Sequence, residues 1–418
     1  MSETIVDFAL AAAAGEKKFP WLGACQISDR GTPRANLFNA MMALRNDENL
    51  ARNFAFDEMT RDVLLVAAIP GGVASAPATP LPRPVRDEDI SLVQEFLQLA
   101  GLEMITKDIV HQAVDLRAAE CAFHPVRNYL AALKWDGRPR LKRWVSNYLA
   151  AEDSSYNSAI GEMFLIAMVA RIFRPGCKLD YMPILESPQG SFKSSACAVL
   201  GGRWFSDSLP DLRYGGKDIA QHLRGKWLIE IGELASLDKT EAAALKAFIT
   251  RRDERYRPPY GRKEVFEPRQ CVFVGTTNDA VYLRDKTGGR RFWPIATGKI
   301  RIDELARDRD QLFAEGVTRL HGGARWWPHG DFETSTIAPE QEKRYEADAW
   351  EEAVYEFLVG QTRTTILDIA RGALNFSTDR LGTSDQRRIA AALERMDWAR
   401  GARGAHGERF WWRRRDER

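Results

Sequence analysis

A short loop at residues 186–195 carries residue types that hold phosphate groups. It follows the apolar pair Ile184 and Leu185 and precedes residues that favour a helix, so the order is strand, loop, helix. Lys193 and Ser194 stand where the pattern G-x-x-x-x-G-K-[ST] has its last two residues. In that pattern backbone N–H groups face the phosphates, the lysine adds a positive charge and the hydroxyl binds Mg²⁺. The sequence therefore predicts a P-loop site for ATP and Mg²⁺ built from Gln189, Gly190, Ser191, Lys193, Ser194 and Ser195.

Two positions of this loop depart from the pattern. Ser187 replaces the first glycine and Phe192 replaces the glycine before the lysine. Gly190 remains as one backbone position without side-chain restriction. The departures keep a second interpretation open, in which the segment is an ordinary strand, turn and helix that contains a glycine and a lysine by chance. They also leave open how efficiently the loop supports hydrolysis.

A second apolar stretch, residues 227–231, runs into acidic residues. Glu233 is placed to polarise a water molecule for attack on the γ-phosphate. Gly232 occupies the position before it, where an aspartate for magnesium is common. Glu230 lies two residues earlier and therefore on the same strand face as Gly232, so we expect it to substitute as a metal partner through water. The alternative is that both acids decorate an exposed strand end.

Polar and basic residues follow a third apolar stretch, residues 270–275. Asn278 comes soon after it, where a side chain can reach the attacking water or the γ-phosphate. Arg290 and Arg291 follow a Gly-Gly turn and suit phosphate contact, either in their own subunit or as an arginine finger from a neighbour. Together with Glu233 these residues are the predicted catalytic set. The alternative for the arginines is a surface pair packed by the aromatic residues that follow.

Residues 251–270 form a basic segment with seven Lys or Arg against four Asp or Glu, and tyrosines lie between them. Arginines with aromatics neutralise phosphates and stack on bases. Residues 258–261 predict a hairpin tip. DNA contacts are therefore expected at Arg255, Arg257, Tyr260, Arg262 and Lys263. A solvated loop of salt bridges is the alternative.

The C-terminal end has the pattern of a winged helix. Two helical stretches, the second with a serine N-cap, precede a glycine-rich hairpin flanked by aromatics. Residues 399–418 contain seven arginines against three acids. We expect DNA contacts at Arg413 and Arg414, with a protein-docking module and a solvated arginine tail as the alternative.

The elements that position these residues follow from changes of pattern along the chain. Short apolar runs predict parallel strands at 181–185, 227–231 and 270–275, with a helix after each of the first two. The fold class expected is an α/β P-loop NTPase core of the additional-strand type with a helical N-terminal region and a winged-helix-like end. The predicted segments are a small, mostly helical region at 1–68, a proline-rich linker at 69–86, a helical domain at 87–172, the ATPase core at 173–300, a helical connector at 301–349 and the winged-helix-like domain at 350–418.

Composition places the chain among folded proteins: 418 residues, 44% hydrophobic and 28% charged. The formal net charge of +2 means that affinity for nucleic acid must come from local patches. Five scattered cysteines without a C-x-x-C pair argue against a disulfide framework and a structural zinc site. No signal-peptide pattern opens the chain, and the apolar run at 163–170 falls short of the ~20 residues that span a bilayer. We expect a cytoplasmic protein with no membrane partner.

Taken together, these motifs resemble the virulence-associated protein E family, phage and genomic-island ATPases that are similar to superfamily three helicases. The resemblance is strongest over residues 120–295. It rests on the P-loop and on residues 123–130, 135–141, 174–178, 230–234, 251–262, 276–278 and 287–294.

The resemblance implies a ring-forming ATPase that works on single-stranded or forked DNA in replication of a prophage or another mobile element. Carried over residue by residue, it makes Lys193 and Ser194 the ligands of nucleotide and Mg²⁺, Glu233 the catalytic acid, and Asn278 the sensor. Arg290 or Arg291 becomes the finger. A primase would be a separate chain, because residues 1–120 show no primase pattern. A nucleotide-gated DNA-binding or regulatory protein with little hydrolysis is the other class that we keep open.

Overall fold

The computed structural model describes residues 19–70, 80–212, 216–236, 239–257, 263–283, 289–377, 380–403 and 409–413. The chain divides into two compact units. The first comprises Met1–Asn278 and Arg291–Glu333, and the second comprises Asp279–Arg290 and Thr334–Arg418. The boundaries of the six smaller segments stay predictions.

The N-terminal part of the first unit combines helices with a small sheet. A 3-10 helix (Pro20–Ala24) and α1 (Leu37–Asn46) precede the antiparallel strands β1 (Phe54–Asp57), β2 (Asp62–Leu65) and β3 (Arg83–Pro84), and α2 (Asp87–Leu99) and α3 (Lys107–Glu120) follow. The expectation of a mostly helical region missed β1 and β2. Strands of four residues are too short for their apolar spacing to be told from a single helical turn. One apolar core runs through these elements from Trp21 to Ala118.

Three helices come next, as expected for residues 87–172: α4 (Pro125–Ala132), α5 (Trp144–Leu149) and α6 (Ser155–Phe173). By length and composition α6 is able to cross a membrane, but 78% of its apolar window is buried inside the protein. Such burial is typical of a helix that packs in the core of a fold.

A five-stranded parallel sheet forms the centre of the first unit. Its strands are β4 (Met182–Glu186), β5 (Phe205–Ser206), β6 (Leu228–Ile231), β9 (Val272–Thr277) and β10 (Phe292–Ala296), and they are arranged in the order β10-β4-β9-β6-β5. The helices of this region are α7 (Lys193–Gly201), α8 (Gly216–Leu223), α9 (Lys239–Ile249) and α10 (Ile302–His321). The mixed α/β class and the three predicted strands are confirmed.

Two strands of this sheet were not predicted. β5 has only two residues, and β10 contains Pro294. A proline removes one N–H from the ladder, which an edge strand tolerates, and β10 lies at the edge of the sheet. Phe292–Ala296 therefore forms a strand of the sheet. Its aromatic residues do more than pack against the preceding arginine pair, Arg290 and Arg291.

An antiparallel hairpin connects α9 to β9. β7 (Asp253–Tyr256) pairs with β8 (Val265–Pro268), and Tyr256 lies opposite Val265 at the end nearest the turn. The predicted tip, 258–261, lies outside the described residues. At the other end, the fully buried Arg269 forms an ion pair with Glu254 and donates to the carbonyl oxygen of Phe248, which fixes the base of the hairpin.

The described residues of the second unit form a short π-helix (Glu333–Ile337, which begins one residue inside the first unit), four α-helices and a sheet. The helices are α11 (Ala338–Glu342), α12 (Glu351–Leu358), α13 (Ile366–Gly372) and α14 (Thr383–Arg395). β11 (Arg363–Thr365), β12 (Trp398–Arg403) and β13 (Arg409–Arg413) form an antiparallel sheet in the order β11-β13-β12. Their apolar side chains share one core that includes Val354, Ile369, Ile389, Leu393, Trp398 and Trp411.

Candidate nucleotide site at the carboxyl end of the central strands

The predicted phosphate loop connects the end of β4 to the start of α7. The Ser191 hydroxyl donates to the carbonyl oxygen of Pro188 at 2.8 Å, which closes the turn. Gly190 (φ +85°) and Phe192 (φ +64°) both have left-handed backbones. The other predicted ligands of this loop are accessible to solvent. Ser191 is half-buried, and the exposed residues are Gln189, Gly190, Ser194 and Ser195. The segment is therefore a solvent-accessible turn that leads into the first N–H groups of a helix. This backbone arrangement favours the binding of anions.

Lys193 is the one positively charged side chain of this loop, and it points inward. It is only 8% exposed. Its Nζ donates to the carbonyl oxygen of Ser187 at 2.5 Å and to Oδ1 of Asn278 at 3.0 Å. Burial lowers the pKa of the ammonium group, and the negative charge of Glu230 opposes that shift. The predicted sensor Asn278 and the predicted phosphate lysine are thus in direct contact.

Glu230 joins the loop to the sheet. It is 4% exposed, and its Oε1 accepts hydrogen bonds from the hydroxyls of Ser194 and Thr276, each at 2.7 Å. Its Oε2 is buried and has no hydrogen-bond partner among the described residues. Glu230 also lines a cavity of about 250 Å³ between the residues after β5 and α9. A hydroxyl beside a carboxylate with one unused buried oxygen is a donor set that suits Mg²⁺.

Glu233 lies beyond the end of β6 and is exposed. Its backbone is left-handed (φ +52°), and its carbonyl oxygen accepts hydrogen bonds from the backbone N–H and the hydroxyl of Ser236, at 2.9 and 2.8 Å. A left-handed backbone is uncommon for residues other than glycine and is concentrated at functional sites. The two acids therefore differ: Glu230 is buried in a hydrogen-bond network, whereas Glu233 is accessible to water.

Arg291 is not brought to this site within its own chain. The parallel register pairs Phe292 with Met182 at the start of β4, whereas the loop follows Glu186 at the other end. Five residues of strand at about 3.3 Å each separate these levels, which is farther than an arginine side chain extends. Arg291 is half-buried, and its Nε has no hydrogen-bond partner among the described residues. Arg290 is exposed and belongs to the second unit.

The predicted DNA-binding residues are described only in part. Arg255, Arg257 and Lys263 are exposed on the hairpin, and Arg255 pairs with Glu264 at 2.9 Å, as the salt-bridge alternative expects for that residue. Arg413 is exposed at the end of β13. Tyr260, Arg262 and Arg414 lie outside the described residues.

Sequence reasoning missed two residues that contact the candidate site. Thr276 entered only within the range 276–278 of the family resemblance, yet its hydroxyl donates to Glu230. Ser187 was noted as a departure from the motif, yet its carbonyl and hydroxyl oxygens both accept from Lys193, the hydroxyl at 3.3 Å. The position of Thr276 at the carboxyl end of the strand beside β6 was the available signal.

The left-handed Phe192 makes a stability prediction. We expect Phe192→Gly to raise the free energy of unfolding by about 1 kcal/mol, because a left-handed backbone costs a residue with a Cβ roughly 1–2 kcal/mol. The phenyl ring is 56% exposed, so little apolar burial is lost with it. Calorimetry should show the melting temperature rise by about 2 °C.

Phe192→Ala is the matched control for that prediction. It removes the ring but keeps the Cβ, so it should not stabilise the protein. An equal stabilisation by both variants would mean that the exposed ring, and not the backbone, is the source of the strain.

The fold and the site together define a class: a mixed α/β protein whose central parallel sheet gathers a lysine loop, a buried glutamate and polar strand ends at one edge. The profile of the virulence-associated protein E-like domain matches residues 130–347. The chain belongs to this family.

Solved structures show coarser similarity. The apo structure of the NrS-1 C-terminal region (305–718) aligns with a TM-score of 0.44 at 12% identity, over 81% of this chain and 83% of that one. A second structure of the same region, its A form, aligns with a TM-score of 0.39 at 11% identity, over 68% and 78%. The search of curated proteins finds no match.

Proposed function

We propose that this protein is a Mg²⁺-dependent ATPase that acts as a helicase-like replication protein of a prophage or another mobile element. The observation that carries the proposal is the bonding between three separate motifs. Ser194 of the loop and Thr276 of β9 both donate to Glu230 of β6. Three apolar stretches that look independent in the sequence thereby converge on one carboxylate.

The order of the sheet supports the additional-strand type of ATPase core. β9 lies between β4, which carries the phosphate loop, and β6, which carries the acids. Asn278 follows β9, so the inserted strand delivers a sensor side chain between the loop and the acids. Family membership is consistent with this arrangement, because the family was expected to have such a core.

The residues divide the chemistry as follows. Backbone N–H groups at Gly190 to Lys193 and the Lys193 ammonium hold the β- and γ-phosphates of ATP. Ser194 directly and Glu230 through water would hold Mg²⁺, which would supply positive charge against the phosphate oxygens when bound. Glu233 orients and polarises the attacking water. Asn278 releases Lys193 to the phosphates and turns its amide to the γ-phosphate.

DNA is the proposed second substrate. The hairpin of β7 and β8 carries exposed basic residues, and α13, α14 and the hairpin of β12 and β13 follow the order of a winged helix. A homo-oligomeric ring with DNA in its channel and a separate primase as partner complete the proposal. Both come from the family resemblance.

A nucleotide-gated DNA-binding protein is the second candidate. It is favoured by two observations: Phe192 stands in place of a glycine, and Lys193 is already bonded to Ser187 and Asn278. A loop of that kind would bind ATP and exchange it slowly without much hydrolysis.

Glu233→Gln separates the two candidates. The change keeps size and hydrogen bonding but removes the charge that activates water, so turnover should fall by roughly 10²–10⁴ while ATP affinity stays. Steady-state phosphate release with and without single-stranded DNA, and titration with labelled ATP, measure the two quantities. Glu103→Gln, a change at an exposed glutamate of the same unit, is the matched control. Wild-type turnover no faster than that of Glu233→Gln would favour the nucleotide-gated protein.

A further inference from the structure

The C-terminal sheet has one face that its own helices do not cover. Side chains of a strand alternate between faces. Trp411 is 1% exposed and packs in the core with Ile389 and Leu393 of α14, so Phe410 and Trp412 on either side of it point the other way. We call the side carrying Arg363, Gly401, Phe410 and Trp412 the outer sheet face.

The indole of Trp412 lies against the backbone of β12. A Cβ added to Gly401 would meet the indole Nε1 at 2.9 Å, so the glycine leaves room for the ring on the sheet. Trp412 remains 45% exposed. The Phe410 ring lies beside it, with ring centres 6.4 Å apart and planes tilted by 50°. The outer sheet face therefore presents two neighbouring aromatic rings on a rigid backbone.

The charge on these strands is of one sign. The guanidinium of Arg363 lies over the Phe410 ring, 5.4 Å from its centre. Arg363 is exposed and lies opposite Trp412 in the strand register, so it is on the outer sheet face. Arg400, Arg409 and Arg413 are also exposed, but they lie on the side of Trp411, because Arg400 is opposite Trp411 and Arg409 and Arg413 are two residues from it. The described residues of β11, β12 and β13 include no aspartate or glutamate. Two aromatic rings beside an arginine, with no acid on the described strands, complement a polyanion that has flat, apolar parts.

We propose that the outer sheet face binds single-stranded DNA, with bases stacked on Trp412 and Phe410 and a phosphate held by Arg363. A duplex does not fit, because its bases are already stacked on each other and expose only their edges. The inference rests on the proposed function for its choice of DNA. It deepens that function by assigning the second unit a single strand instead of the duplex that a winged helix commonly binds.

The test is binding of the full chain, without nucleotide, to two labelled oligonucleotides of equal length, a thymidine homopolymer and an abasic backbone. Trp412→Ala should weaken binding of the thymidine strand by roughly 5- to 150-fold, the range for loss of one stacked base. Trp412→Phe should stay within about threefold of wild type, since a ring remains. Binding of the abasic strand should not change in either variant. Arg363→Gln should weaken binding of both strands, because it removes a phosphate contact.

Two further variants distinguish a loss of base stacking from a loss of folding. Gly401→Ala displaces the indole without deleting it, and should weaken thymidine binding. The added Cβ also comes within 3.1 Å of the Phe410 carbonyl oxygen, so calorimetry must show that the variant still melts as a folded protein. Trp327→Ala removes a tryptophan of equal exposure from the first unit and should change nothing. Unchanged thymidine binding in both Trp412→Ala and Gly401→Ala would overturn the proposal. A loss of self-association by light scattering, with DNA affinity intact, would instead assign the face to contacts between copies.

The outcome is separable from that of the ATPase proposal. Stacking is measured without nucleotide, so a chain that binds thymidine strands through Trp412 but never hydrolyses ATP would refute only the ATPase. A chain that hydrolyses ATP and ignores Trp412→Ala would refute only the outer sheet face.

Discussion

Lys193→Ala should remove ATP binding, with an affinity loss of at least about 100-fold from the charged hydrogen bonds to phosphate alone. Lys193 is the one cation of the phosphate loop, and its buried ammonium group donates to Ser187 and Asn278. An alanine leaves the N-terminus of α7 as the remaining source of positive potential, which is worth less than a full charge. Titration with labelled ATP measures the loss, and turnover should fall below detection.

Lys178→Ala is the control, because Lys178 is an exposed lysine of the same unit. The hydrogen bonds of Lys193 also link the loop to Asn278 at the end of β9, so calorimetry must show that the variant still melts as a folded protein. Unchanged ATP affinity in a folded Lys193→Ala variant would refute the loop assignment and return the segment to an ordinary turn.

The three strands that carry the candidate site were predictable to within two residues. Val272, Phe273 and Val274 illustrate why: a fully buried parallel strand needs a continuous apolar run, and polar or glycine residues mark where it ends. The loop before Lys193 was also predictable, since an apolar strand precedes it and a helix follows it. Sequence alone thus locates the edge of the sheet at which chemistry is expected.

The contacts across strands were not predictable. Thr276 bonds to Glu230 because β9 lies directly beside β6, with Val274 opposite Glu230. Neighbour order and register come from the packing of the whole sheet and leave no mark on either strand. The same reason explains the missed strand β10, since Pro294 makes a strand plausible only once that strand is known to lie at an edge.

Arg291→Ala should lower ATP turnover by roughly 10³–10⁵ without weakening ATP binding, which is the effect of losing an arginine finger. The register of β10 with β4 puts Arg291 at the amino ends of the parallel strands, whereas the phosphate loop lies at their carboxyl ends. Any contact of Arg291 with phosphate must therefore be made in a neighbouring subunit. In a closed ring each site then combines Lys193 of one subunit with Arg291 of the next. Arg290→Ala, tested alongside, decides which of the two arginines is the finger.

Mixing subunits tests this arrangement directly. Lys193→Ala subunits keep an intact finger, and Arg291→Ala subunits keep an intact loop, so rings assembled from both should recover up to about a quarter of the wild-type rate. Neither variant alone should hydrolyse ATP. Arg301→Ala, at an exposed arginine nearby in the chain, should behave as wild type. No recovery in rings shown to contain both variants would mean that Arg291 acts within its own chain, through packing of its half-buried side chain, and the finger would have to be sought elsewhere.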